Sequence, residues 1–141
     1  MTLYVVELTV PANTPDIDPV RKEIVLERGV ITRIQVHFPP GCAGKVYTAA
    51  YEGHVQLFPR PAGSWLAGDG ETVTAETFIP VLKDTVKLTI YAKSPGALYP
   101  HTITWRINVL PPHVAMWWMV LEKFINILSS IFGVRREWIS P

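Results

Sequence analysis

Apolar and polar side chains alternate with a period of two through the first 110 residues, and a helical period replaces that alternation afterwards. Tyr4, Val6, Leu8 and Val10 share one side of residues 3 to 10, the pattern of a strand with one buried face. The segment PANTPDIDP (11–19), with three prolines and two aspartates, ends that strand as a loop or extended arm. Val20, Ile24 and Leu26 predict a second strand, and Arg28-Gly29 reads as a tight turn into a third. In GVITRIQVHFPP, Val30, Ile34, Val36 and Phe38 point one way and Arg33, Gln35 and His37 the other, until Pro39, Pro40 and Gly41 stop the run.

The pattern weakens over 45–51 and 54–58, where Gly53 marks a bulge or bend and either one kinked strand or two short ones is expected. Residues 60–73, rich in glycine around Trp65 and Leu66, form the longest irregular connection, and long loops carry binding more often than short ones. Three further strands follow, 72–79, 86–92 and 101–109, with turns at Asp84-Thr85 and SPGALYP (94–100). Trp105 falls on the inward register with Ile103 and Ile107, so it belongs to the core.

Seven to eight short strands about ten residues apart predict an all-β chain, an antiparallel β-sandwich or jelly-roll-like domain over 1–110. The want of crossover helices excludes a parallel α/β fold. Residues 111–141 are a separate apolar amphipathic arm, a helical or extended appendage to that domain.

Pro111-Pro112 breaks the sheet, and a helix is expected to start after them, with Gly133, Arg135 and Arg136 suited to its C-terminal end. From Val114 to Val134 the polar residues Glu122, Lys123, Asn126, Ser129 and Ser130 occupy an arc of roughly 120°. The rest is a broad apolar surface carrying Trp117, Trp118, Leu121, Phe124, Ile125, Leu128, Ile131 and Phe132. Three settings suit such a helix: its own sandwich, a membrane, or a neighbouring subunit. The stretch is long enough to cross a bilayer, but Glu122 and Lys123 near its centre each cost on the order of 2.5–3.5 kcal/mol there. A membrane setting therefore means lying in the interface rather than spanning. The breadth of the apolar arc favours a helix gripped by a neighbour.

Charge and candidate chemistry narrow the function classes. Lysine and arginine (13) nearly balance aspartate and glutamate (12) and are scattered, so no electrostatic stripe for nucleic acid is present. The single cysteine, Cys42, permits no intrachain disulfide and reads as a small hydrophobe. His37, His54, His101 and His113 are isolated from one another, Ser64 has no neighbouring base signature, and Asp69 and Glu71 in GDGE read as a turn rather than a calcium loop. No catalytic, cofactor or metal site is expected. The opening MTLYVVELTV alternates too strictly for a secretory segment, which predicts a protein kept on the cytosolic side of its host. Scarce asparagine and glutamine beside abundant proline point to a hot environment. Trp65, Phe58 and Tyr99, in or beside loops, keep open a sugar-stacking module as an alternative.

Taken together, GVITRIQVHFPPGCAG, WLAGDGET and YPHTITWRINVLPP resemble the small β-sandwich capsid decoration, or cementing, proteins of tailed phages of thermophiles. The resemblance implies a trimer of β domains on the exterior of a virion, with a terminal arm clamping neighbouring shell subunits and the major capsid protein as partner. On that reading Trp117, Trp118, Leu121, Phe124, Ile125, Leu128, Ile131 and Phe132 anchor the arm, Trp138 and Ile139 extend the contact, and Trp65 with Leu66 offers a loop contact. The first strand and the proline loop could add a strand to a neighbour. The alternatives are a carbohydrate-binding or adhesion module using Trp65, and a β domain held at a membrane by its terminal helix.

Overall fold

The computed structural model of the chain describes residues 2–132, the side chains of 82–85, 114–116, 118–119 and 132 lying outside that description. Its strands are β1 (Thr2–Val10), β2 (Val20–Phe38), β3 (Tyr47–Glu52), β4 (Val55–Phe58), β5 (Leu66–Ala67), β6 (Glu71–Lys93) and β7 (His101–Leu110), followed by a helix, α1 (Pro112–Phe132). All pairings are antiparallel, in the order β1-β7-β2-β6-β3-β4 with β5 added to β3. The all-β, sandwich-like fold expected from the alternation is the fold observed.

Two expected turns are absent. Arg28-Gly29 does not close a hairpin and Asp84-Thr85 does not end a strand, because β2 and β6 run on through both positions for 19 and 23 residues. The ladder absorbs the irregular residues as bulges. Glu27 pairs with Thr85 and Gly29 with Val81, so Arg28 alone faces the three residues 82–84; a second shift lies between Ile31 and Arg33. A bulge bends its strand and sharpens its twist, and in sequence it interrupts the period just as a turn does. Gly29 is there for another reason. A Cβ at this position would lie 2.1 Å from the Leu110 carbonyl oxygen and 2.9 Å from Val109 Cγ1, so only glycine lets the end of β7 come this close.

The bends divide the ribbon of β2 and β6 between two half-sheets. β7, with β1 outside it, pairs with residues 30–37 of β2, whereas β3 pairs with residues 88–93 of β6. In a flat sheet β7 and β3 would stand three strands, or about 14 Å, apart. Instead the Trp105 indole Nε1–H of β7 donates to Thr48 Oγ1 of β3 at 3.1 Å, and Phe58 of β4 meets Trp105 edge-on with ring centroids 6.0 Å apart. The halves therefore lie face to face, and one cluster holding Val10, Leu26, Val36, Phe38, Ile90 and Trp105 fills the space between them. Phe58 thus belongs to the core margin and not to an exposed loop. Where the outer strand β1 meets the first part of β2, Lys22 Nζ donates to the Glu7 carbonyl at 3.0 Å and the Glu27 amide donates to the Tyr4 hydroxyl oxygen at 3.0 Å.

Two substitutions test this packing. Gly29→Ala is expected to lower stability by about 1–3 kcal/mol through overpacking against the Leu110 carbonyl, read as a lower urea midpoint with unchanged slope. Thr48→Val keeps the shape but strands the buried Trp105 N–H, with an expected loss of about 1–3 kcal/mol in the same measurement.

Candidate functional site

Two surfaces carry residues singled out in the sequence. The first is α1. Leu110 still pairs with Val30 of β2, and the helix begins two residues later with Pro112 itself at the first helical position, where a missing N–H costs nothing. The chain therefore turns from strand to helix beside Gly29, and β2 is the element that α1 approaches most.

Among the described side chains of α1, most apolar ones are left uncovered by the sandwich. Trp117 is 68% exposed and Ile131 69%, with Leu121, Phe124 and Ile125 also exposed and Leu128 half-buried. Folding back to cover the core is thus not what these side chains do. Val120 and Ile127, not singled out from the sequence, are exposed too and share the i, i+4, i+7 face with Phe124. Their signal lies in the helical period, next to the more conspicuous aromatic positions. Ser129 is buried, and its hydroxyl is satisfied by donating to the Ile125 carbonyl within the helix at 2.9 Å. Trp118 and Phe132 lie on the backbone of α1, but their side chains, like Trp138 and Ile139 entirely, lie outside the described residues. Among the described residues no helix is long and apolar enough to cross a membrane.

The second surface is built around Trp65, and its organiser, Gln56, carried no signal in the sequence. Gln56 is a buried amide on β4 that meets four partners. Its Nε2 donates to the Pro59 and Ser64 carbonyls at 2.6 and 2.8 Å, while its Oε1 accepts from the Gly63 amide at 2.7 Å and the Tyr51 hydroxyl at 3.0 Å. This one side chain closes the 59–64 loop and delivers Trp65 to the outside of β3. Leu66 enters β5 opposite Thr48 and packs half-buried on the core. Trp65, Tyr51, Tyr91, His54, Gly53 and Pro19 line an open cleft of about 300 Å³. Lys93 Nζ sits 4.4 Å from the centre of the Trp65 ring and pairs with Asp16 at 2.7 Å, which holds the indole in place.

The remaining candidates are structural. Asp69 Oδ1 accepts the Gly41 amide at 2.9 Å, tying the GDGE turn to the loop after β2. His37 hydrogen-bonds Thr72 across β2 and β6 at 2.9 Å. Cys42 is buried, and loss of solvation, followed by the nearby Asp69 charge, pushes its thiol above the usual range. Tyr99 is exposed on the 94–100 connection, away from Trp65's cleft. Among the described residues no three histidine, cysteine, aspartate or glutamate side chains gather as metal ligands. What these two surfaces offer chemically is binding.

No family model matches the chain, and no curated protein matches it. Among solved structures the chain is similar to the crystal structure of FlhE, with 15% identity and a TM-score of 0.40 over 78% of this chain and 97% of that one. A likeness of that size carries neither a function nor a partner across.

Gln56→Leu is expected to cost about 1–3 kcal/mol through its stranded loop partners and to speed exchange of the Gly63 amide, followed by hydrogen exchange. Iodoacetamide should alkylate native Cys42 more slowly than the unfolded chain at pH 8. Because folding raises this pKa, the stability it contributes is present below the ordinary thiol range and is lost as pH rises through the raised value.

Proposed function

We propose that this protein is a non-enzymatic structural subunit that attaches to a larger protein assembly through α1. Following the resemblance of its β domain, the assembly is a virion capsid, whose neighbouring shell subunits the protein ties together from the outside. The observation that supports this reading is the exposed apolar surface of α1, on which Trp117, Leu121, Phe124, Ile125 and Ile131 reach solvent from one short helix. A helix apolar over most of its circumference is stable when something encloses it, and its own domain leaves it open.

A protein groove suits this helix better than a lipid surface. Interfacial helices set a lysine- and arginine-rich face against the headgroups, whereas Pro112–Phe132 carries one lysine and one glutamate, adjacent to each other. Aromatic anchors such as Trp117 and Phe124 give up little side-chain freedom when they enter a preformed pocket. Trp118, Leu128, Phe132, Trp138 and Ile139 extend the same proposed contact. A subunit that binds only the assembled shell stabilises it by mass action, and a trimer would multiply each contact through local concentration.

Leu121→Glu combined with Phe124→Glu tests the proposal in the full chain, since both side chains are exposed and the β domain should keep its unfolding midpoint. Co-sedimentation with capsids from the same virion should show the native chain in the pellet and at least a tenfold weaker association for the double variant. Liposomes of mixed zwitterionic and anionic phospholipid should leave the native chain in the supernatant. Pelleting with liposomes but not with capsids would replace the protein partner by a membrane.

A further inference from the structure

The two outer faces of the doubled sheet differ in a way that α1 does not explain. On the half that includes residues 33–37, cross-strand pairs are polar: Arg33 with Glu76 at 2.9 Å, Gln35 with Thr74 at 3.4 Å, and His37 with Thr72 at 2.9 Å. This is the ordinary wetted face of an antiparallel sheet. On the other half, Thr48 and Ala50 point into the core, so Tyr47, Ala49 and Tyr51 point outward by alternation. Ala49 faces Tyr91 across the ladder and Tyr51 faces Thr89, which makes the two tyrosines diagonal neighbours, set edge-to-face with centroids 5.5 Å apart. Ala49 has no exposed surface and forms a small apolar floor beneath them.

Trp65 completes this aromatic face from a different part of the chain, and the surrounding bonds hold it there before any ligand arrives. The Gln56 amide sets both the loop carbonyls and the Tyr51 hydroxyl, and the Lys93–Asp16 pair clamps the indole. Fixing rings in advance removes most of the ordering cost that a ligand would otherwise meet.

We propose that this cleft is a binding site for a neutral glycan. Its lining contains no carboxylate or ammonium group, and the nearby Lys93 charge is already matched by Asp16, so nothing selects for an ion. It presents aromatic surface from Trp65, Tyr51 and Tyr91 together with the polar His54 side chain. A pyranose ring has the matching chemistry: an apolar C–H face that stacks on an aromatic ring, and equatorial hydroxyls around its edge that donate and accept. The cleft is a single depression at the small end of ligand sites. A polyproline helix repeats about every 9 Å and needs a succession of slots, so a compact sugar fits better.

Isothermal titration of the full chain with maltohexaose, cellohexaose and N-acetylchitohexaose tests the site. Saturable binding of at least one of them is expected, weakened tenfold or more by Trp65→Ala and, to guard against loss of the loop, by Tyr91→Leu. Trp117→Ala on α1 should leave it unchanged, which separates this site from the helix. Absence of saturable binding by all three glycans, unaltered binding in both cleft variants, or binding of a decaproline peptide in place of the glycans would overturn the proposal.

Discussion

The contact between Trp105 and Thr48 is the constraint on which the rest of the molecule depends. These residues belong to strands that the hydrogen-bonding order sets far apart, yet the indole N–H and the threonine oxygen are 3.1 Å apart. That is possible only if the sheet doubles over. The Thr48 hydroxyl in turn donates a hydrogen bond to the Tyr91 carbonyl at 2.8 Å, so the largest buried side chain is satisfied and tied to β6 as well. A polar pair in such a core contributes little net stability while made and costs much when half is removed, which gives the doubled arrangement its specificity.

Doubling requires β2 and β6 to bend without losing their ladder, and the bulges supply the bend. The same corner places Gly29 against the Leu110 carbonyl, fixing where β7 ends and α1 begins. The exposure of α1 is therefore a consequence of the core. The chain leaves the sheet at a corner, beside a strand whose inward face is already filled by the core cluster.

The Trp65 cleft has a comparable origin on the opposite side of β3. Thr48 and Ala50 face the core, which sends Tyr47 and Tyr51 outward, and the Gln56 network brings Trp65 alongside Tyr51. One short strand thus anchors the fold with one face and organises a binding surface with the other. The two proposed functions, attachment through α1 and glycan recognition at the cleft, occupy separate regions of the molecule and so can coexist.

The alternation of residues such as Tyr4-Val6-Leu8-Val10 and Ile103-Trp105-Ile107 by itself determined the all-β class, the core faces and the inward Trp105, because period two is a local property of the strand. The helical period did the same for α1, and Trp65 stood out as an aromatic in a glycine-rich loop. Tertiary structure alone decided that Arg28-Gly29 and Asp84-Thr85 are passed through rather than turned at, since a bulge and a turn break the period alike and only the partner strand distinguishes them. It alone brought Tyr51, Tyr91 and Trp65 together and made Gln56 their organiser, because a lone glutamine in an irregular stretch has no sequence pattern until the carbonyls it serves are folded around it.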